Sequence, residues 1–372
     1  MPSDSLAHIS FISDRLQHYL DQSDTTAGGA QRQQYLLAQE LLKRGQQVSA
    51  IVGDHGQPAE VVQKGVRTVR GCPKDVSNPG DLPGAFSQLE RAIRRVDADV
   101  YYVRGAPRLY IATRLLTWLH RKPLIFGIAN DSDLNPEYLE SRYGHTARVY
   151  RRLLPRADEI ITQTQRQHDV LLDEFNRSST VISNAYTLPP EEDVLNQTQR
   201  EHVLWVGSSD PDQKKPKRYL RLAREIPDAK FVMISQDIGH SGFHRELMSE
   251  AEAVPNLTFI ENVPPEEVHD YYRKATVFVN TSDYEGFPNT FLEAWRYETP
   301  VVSLYYTLDD ILKQKDVGLH SGSMEKLIDD VSELHEDEAF RQRLGKNGRE
   351  LVKREYSIKQ AADKYQCVIS RL

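Results

Sequence analysis

Cysteine is scarce: Cys72 and Cys367 are the only two in 372 residues. They lie far apart and in no metal-ligand spacing, which excludes a disulfide framework and a zinc-type cluster and points to a reducing compartment. No run of about 18 apolar residues occurs, so no membrane-spanning helix is expected. The opening MPSDSLAHIS lacks a basic segment followed by an apolar one, so no secretory signal is expected either. A basic excess is also missing. Lys and Arg number 47 against 54 Asp and Glu, a net charge of −7, which gives nucleic acid no footprint. Neither a P-loop, nor HExxH, nor a Ser/His/Asp order is present, and the 12 histidines are scattered. His168 and His269 read as structural residues on helices. No G-x-G-x-x-G follows an early strand, which disfavours a dinucleotide oxidoreductase. Asp131-Ser132-Asp133 is a D-x-D only in form, so neither a metal nor a cofactor is expected. What remains is a soluble, cytoplasmic chain long enough for two domains.

What is there alternates. Short apolar runs at 8–13, 48–52, 61–69, 100–103, 124–128, 159–162 and 181–183 read as buried strands. Helical spacing fills 85–96, 109–120, 136–154 and 165–175, and Leu36, Leu37, Glu40, Leu41 and Arg44 form a helix that Gly45 stops. A polar turn at 14–27 ends in Gly28-Gly29, where missing side chains let a ligand or backbone approach closely. A plain tight turn explains those glycines equally well. Repeated β-then-α units predict a parallel, doubly wound sheet. Ligands bind such sheets at the carboxyl ends of strands, where Gly28, Gly29 and the 130–133 acids fall. Residues 188–199 (LPPEEDVLNQTQ) read as a linker, after which the alternation restarts. Strands are expected at 203–206, 230–234, 257–260 and 276–280, with helices at 219–226, 243–253 and 265–273. The tail from 323 is helical, its last helix marked by Ala361, Ala362, Tyr365 and Val368. No internal repeat links the halves.

The chain is organised around residues 280–304, NTSDYEGFPNTFLEAWRYETPVVSL. A buried strand leads into a polar turn, then a helix opens at Pro288, runs to about Glu298 and is stopped by Pro300. Glu285 lies in the turn. Glu293 lies in the helix, roughly 7.5 Å along its axis from Pro288. The backbone donors of Asn289, Thr290 and Phe291 fall among the unpaired N–H groups of the first turn, which suit an anion. Phe287, between Gly286 and Pro288, is a small rigid platform. An exposed loop acid and a solvated helix acid would be the plain alternative, but Leu292 and Trp295 place Glu293 beside the apolar face.

Two basic runs stand apart. Gly207, Ser208 and Ser209 end a strand and are followed by Lys214, Lys215, Lys217 and Arg218, whose ammonium and guanidinium groups suit a diphosphate. Lys214 is the first candidate. Arg142, Arg148, Arg151, Arg152 and Arg156 decorate the 136–154 helix. With Tyr143, Val149, Tyr150 and Leu153 they would suit an anionic membrane face, and a solvated face explains them as well.

On these residues the chain resembles the retaining nucleotide-sugar glycosyltransferases of family 4, of GT-B fold. The E-x7-E pattern is Glu285 and Glu293 in EGFPNTFLE. Val206-Gly207 with Lys214-Lys215-Pro216 is similar to the family's phosphate-binding segment. Gly28-Gly29 resembles its first glycine loop, and Asn184 its domain-end asparagine. The resemblance implies two Rossmann-like parallel-sheet domains facing a cleft. An acceptor-side domain would span 1–187, a linker 188–200, a nucleotide-sugar domain 201–355, and a C-terminal helix (356–372) would cross back to the first domain. It implies that Glu293 binds the ribose hydroxyls and that Glu285 faces the donor sugar, helped by the backbone of Gly286, Phe287, Pro288, Asn289 and Thr290. Lys214 would hold the diphosphate, with Gly28 and Gly29 close to it. Three departures are visible. The family's arginine after V-G is Ser208, leaving Lys215 as a second cation. Its histidine after a central strand is replaced by Ile128-Ala129-Asn130-Asp131. Its small-residue helix ending is Arg296-Tyr297-Glu298-Thr299-Pro300.

The implied reaction moves a sugar from a nucleotide diphosphate sugar to an acceptor hydroxyl, on a glycan or lipid-linked glycan, with retention. Glu285 and Asp131 are the candidate catalytic carboxylates, Asp131 (or Asp133) serving as base if the reaction instead inverts. A sugar-nucleotide epimerase and a non-catalytic sugar-nucleotide-binding homologue are the rival readings.

Overall fold

The computed structural model describes residues 7–21, 28–73, 82–264 and 267–372. The chain forms two compact units, Met1–Asn184 with Ile358–Leu372, and Ala185–Ser357.

The first unit is built on eight strands: β1 (Ile9–Ile12), β2 (Val48–Val52), β3 (Glu60–Gln63), β4 (Val66–Arg70), β5 (Val100–Arg104), β6 (Leu124–Gly127), β7 (Glu159–Thr162) and β8 (Thr180–Val181). Their order is β3-β4-β2-β1-β5-β6-β7-β8, and every pairing but β3 with β4 is parallel. The central strands β1, β2, β5 and β6 are almost wholly buried, as strands covered by helices on both faces must be. Three expectations change. The strand expected at 61–69 is a hairpin, because Lys64 and Gly65 both have positive φ and turn the chain back. The long helix at 136–154 is two, Pro136–Tyr143 and His145–Leu153, broken at Gly144 with φ 53° and ψ −127°. The turn expected from 14 instead carries a short 3₁₀ turn, Asp14–Leu16, and a helix, Gln17–Asp21. Residues 22–27 of that turn lie outside the described residues.

The helix Ile358–Ile369 belongs to this unit. Ile358, Ala361, Ala362, Tyr365, Val368 and Ile369 are its buried residues, one stripe at helical spacing. Tyr365 meets Tyr102 of β5, hydroxyl to hydroxyl at 3.2 Å, and Arg44 ties down the outer side through Asp363 (2.6 Å), Gln366 (2.8 Å) and the Lys359 carbonyl (2.7 Å).

The second unit has six parallel strands: β9 (His202–Ser208), β10 (Phe231–Gln236), β11 (Leu257–Glu261), β12 (Ala275–Asn280), β13 (Val301–Ser303) and β14 (Gly318–His320). Their order is β11-β10-β9-β12-β13-β14. The stretch at 188–199 is not a free linker. Arg349 donates to the Pro189 carbonyl at 2.8 Å and Arg341 to Gln197 at 3.3 Å, so it packs as the opening of this unit. The helix expected at 265–273 is described as Val268–Lys274, and residues 265–266 lie outside the described residues.

The helix Asn289–Trp295 is seven residues long. Pro288 caps it in extended backbone (ψ 114°) rather than opening it, and the last turn closes as a Schellman motif. Glu298 N–H donates to Trp295 O (2.9 Å) and Thr299 N–H to Ala294 O (3.0 Å), with Glu298 left-handed at φ 59°. The helix Glu338–Glu355 lies against this ending. A Cβ at Gly345 would sit 2.0 Å from the Glu298 carbonyl oxygen, so only glycine allows the approach that fixes the helix.

Candidate functional site

The strand order of the second sheet reverses between β9 and β12, and the residues following both strands meet there. After Ser208 ends β9, Asp210 Oδ1 accepts from the N–H groups of Asp212 and Gln213, both at 2.8 Å, and folds 210–213 into a turn. After β12, Asn280 Oδ1 accepts from Ser282 N–H at 3.1 Å. The loops are then stitched together. Asp283 N–H donates to the Gln213 carbonyl at 3.0 Å, Trp205 Nε1–H to Thr281 Oγ1 at 2.9 Å, and Thr281 Oγ1–H to the Lys214 carbonyl at 2.7 Å.

Glu285 is the convergence point. Lys214 Nζ lies 2.5 Å from its Oε1, Ser282 Oγ–H donates to the same oxygen at 2.6 Å, and Gln213 Nε2–H reaches Oε2 at 3.2 Å. The Glu285 side chain is only 8% exposed and that of Lys214 24% exposed, so the pair lies at the mouth of the loop rather than in bulk water. A buried carboxylate needs such donors. Ser282 and Gln213 were not singled out from the sequence. Ser282 stands three residues before the acid, and Gln213 becomes a neighbour only through the parallel pairing of β9 with β12.

The rest of the 213–218 basic run is otherwise engaged. Lys217 binds Glu246 (2.5 Å) and Glu250 (2.6 Å), which hold its ammonium charged to higher pH than usual. Arg218 pairs with Asp283 at 2.5 Å, donates to the Thr281 carbonyl and stacks 4.9 Å over Tyr305. Lys215, with left-handed backbone, sits 3.9 Å from Asp283. Lys214, singled out from the sequence for a diphosphate, is here the lysine of the run that contacts Glu285. Ser208 is half-buried at the end of β9.

Gly286, Phe287 and Pro288 are buried, and Asn289 and Thr290 half-buried. Tyr306, following β13, donates its hydroxyl to the Gly286 carbonyl, and Phe287 packs edge-on against Tyr356 with ring centroids 5.1 Å apart. Phe291 N–H, expected among the unpaired donors, is bonded to the Pro288 carbonyl at 3.2 Å. Glu293 is buried at 7% exposure and its Oε1 accepts from the Tyr186 hydroxyl at 2.8 Å.

In the first unit the candidates are placed differently. Gly28, the exposed N-cap of the helix Gly29–Lys43, has an ordinary φ of −78°, and Gly29 begins the helix. Asp131 opens a 3₁₀ turn, Asp131–Leu134, and accepts from Gln167 Nε2 at 2.9 Å. Asp133 accepts from the N–H groups of Ala129 (2.8 Å) and Asn130 (3.0 Å), the reciprocal half of a capping box. Burial nevertheless raises its carboxyl above the ordinary range. Asn184 accepts from Arg104 at 2.6 Å. Tyr150, expected on an outer face, is fully buried among Tyr110 and Phe126. Among the described residues, no group of three His, Cys, Asp or Glu is arranged to hold a metal ion.

A buried acid held by a lysine at the strand-order reversal, with a second buried acid eight residues on in the helix that follows, is an arrangement that can take a polar, phosphate-bearing ligand. Known proteins resemble this chain in both halves. Residues 28–185 match a glycosyl transferase 4-like domain, and residues 191–351 match glycosyl transferases group 1. The capsular polysaccharide biosynthesis glycosyltransferase CapM of Staphylococcus aureus is 29% identical over 106 residues, a match spanning 28% of this chain and 27% of that protein. Among solved structures, a sucrose-phosphate synthase from Thermosynechococcus elongatus has a TM-score of 0.78 at 19% identity, with 98% of each chain covered. Anabaena HepE, in complex with UDP and glucose, has a TM-score of 0.76 at 16% identity, covering 98% of this chain and 100% of that one. With its two domain matches end to end and these neighbours for its fold, the chain belongs to the GT-B glycosyltransferases, a 4-like domain followed by a group 1 domain.

Proposed function

We propose that the protein transfers a sugar from a nucleoside diphosphate sugar to an acceptor hydroxyl, with retention at the anomeric carbon. The observation that carries this reading is the contact of Lys214 Nζ with Glu285 at 2.5 Å, beside the backbone of 286–290. In the donor complex Lys214 neutralises the diphosphate and Glu285 orients the sugar's hydroxyls. Lys215 is the nearby second cation in place of the family arginine, and Ser208 lines the phosphate side. Glu293 accepts from the ribose. The anomeric carbon loses its bond to the diphosphate oxygen and gains one to the acceptor oxygen on the same face. The acceptor's proton passes to the departing diphosphate, whose charge Lys214 stabilises. No protein base is required. Asp131 is assigned that role only if the product is inverted.

The UDP and glucose of the HepE structure and the capsular polysaccharide role of CapM support a sugar-nucleotide donor and a glycan acceptor, which we take to include lipid-linked glycan. NMR of the product's anomeric centre is the test: a retained configuration is expected, and an inverted one overturns the retaining mechanism. Donor turnover without acceptor would mark an epimerase. Binding with no turnover of any kind would mark a non-catalytic homologue.

A cytoplasmic protein working at the inner face of a membrane is the setting we propose. Among the described residues no helix is long and apolar enough to cross a bilayer. Arg148, Val149 and Arg152 are exposed on the helix His145–Leu153, which packs beside the helix Pro107–Leu119, where Leu115, Trp118 and Leu119 are exposed at one face. That mixture suits anionic lipid. Flotation with phosphatidylglycerol vesicles, and none with phosphatidylcholine, is expected. Equal flotation with both, or with neither, contradicts the contact.

A further inference from the structure

Glu293 has a partner that its own sequence neighbourhood does not supply. Its helix packs Phe291, Leu292, Ala294 and Trp295 into the core, and Glu293 itself is only 7% exposed. A carboxylate so placed needs hydrogen-bond donors. The Tyr186 hydroxyl, itself fully buried, donates to Oε1 at 2.8 Å, and the Arg296 guanidinium lies 5.6 Å from the centre of the same ring. Tyr186 stands at the start of the second unit, one residue after Ala185. Its backbone is fixed too. Tyr186 N–H donates to the Tyr356 carbonyl at 2.9 Å, and Tyr186 bridges Ser357 in parallel. The phenol therefore projects from backbone that is tied where the chain enters this unit to where it leaves.

We infer that Tyr186 is a positioning residue for nucleotide recognition. It holds Glu293 in the one orientation from which the carboxylate accepts both ribose hydroxyls of the donor. The inference rests on the assignment of Glu293 to the ribose made above. A phenol-to-carboxylate bond is charge-assisted and directional, and it fixes how the carboxylate is turned. Without the phenol the carboxylate turns toward water or toward Arg296, and the diol meets a group no longer aimed at it.

The test is calorimetric binding of UDP, GDP and ADP and their 2′,3′-dideoxy counterparts to the full chain, wild type and Tyr186→Phe. Wild type is expected to prefer the ribose forms by roughly 10- to 100-fold, the range of hydrogen bonds to a charged group. In Tyr186→Phe that preference falls about tenfold, while the dideoxy forms bind as they do to wild type. A merely structural role weakens both forms equally and leaves the preference intact, which overturns the inference alone. If wild type does not discriminate, the ribose assignment of Glu293 fails. If none of the three nucleotides binds, the donor reading itself fails. Should Tyr186→Phe not fold, 3-fluorotyrosine placed at 186 keeps both ring and hydroxyl. Its fluorine resonance is expected to move with the ribonucleotide and not with the dideoxy form, and an unmoved resonance overturns the inference.

Discussion

The two sheets reverse strand order in the same way, β2-β1-β5 in one and β10-β9-β12 in the other, yet their carboxyl ends are furnished differently. In the second unit the residues after the paired strands bring an ammonium and a buried carboxylate together, with a serine and a glutamine as further donors. In the first, the corresponding groups are Asp14, 3.4 Å from His55, and Arg104, bonded to Asn184. The sequence acids Asp131 and Asp133 follow β6, one strand away from the reversal, and serve local backbone and Gln167. Short acids at a strand end are common because they cap turns. What sets Glu285 apart is that a buried carboxylate meets an ammonium and an amide from the loop after β9 together with a serine of its own turn.

The sharpest way to break this comparison is to remove one acid from each end. Glu285→Ala is expected to lower kcat/KM for transfer by roughly 10²- to 10³-fold with the fold intact. Asp131→Asn is expected to stay within about threefold, since its bond from Gln167 persists. Asp133→Ala is expected to cost about 1–2 kcal/mol of stability through two lost backbone bonds, seen in urea melts. Equal kinetic losses at 285 and 131 would erase the distinction.

Acid offers a second comparison. His202 begins β9 and His8 immediately precedes β1. Burial lowers both imidazoles, His202 to about 4. A depressed imidazole is protonated more readily in the unfolded chain, so its contribution is full above the ordinary value near 6.5 and is lost as pH falls towards 4. For His202 the loss is on the order of 3 kcal/mol. Urea unfolding between pH 7 and pH 4.5 should show it, and His202→Gln should flatten the decline of the second unit. An unchanged decline refutes the assignment.

Lys214→Ala is expected to weaken nucleoside diphosphate binding about tenfold, and Lys217→Ala to leave it nearly unchanged, because Lys217 is committed to Glu246 and Glu250. Titration of both variants checks this. A reversed order would move the phosphate site along the run.

The smallest effect concerns helix ends. The helix Gly29–Lys43 ends in the same six-residue closure as Asn289–Trp295, with Gly45 N–H to Leu42 O at 2.9 Å and Gln46 N–H to Leu41 O at 3.0 Å. Gly45 supplies the left-handed residue in one (φ 81°), Glu298 in the other (φ 59°). Glu298→Gly should therefore stabilise the second unit by up to about 1 kcal/mol and Gly45→Ala destabilise the first by about as much, both read as melting temperatures.

Much of the fold was legible because periodicity is local. The buried strands, the helix Gln165–Phe175 and the apolar stripe of the last helix follow from spacing alone. The departures came from backbone conformation that no periodicity reports: the reversal at Lys64-Gly65, the break at Gly144 and the left-handed Glu298. The 188–199 stretch reads as a linker because its anchors, Arg341 and Arg349, lie about 150 residues away in sequence. Among the candidate residues, Glu285, Glu293 and Lys214 were singled out from charge and spacing, and the first and last are in contact. Gln213 and Tyr306 were not, because their partners follow a neighbouring strand, nor was Tyr186, whose partner lies 107 residues away.

The central claim, that the Lys214–Glu285 site holds a sugar nucleotide's diphosphate, is tested most directly by the melting temperature of the full chain with UDP, GDP or ADP. Wild type and Lys214→Ala would be measured side by side. At least one nucleotide should raise the wild-type melting temperature by several degrees, by mass action, and the rise should shrink or vanish in the variant. No rise with any nucleotide, or an equal rise in both proteins, would contradict the claim.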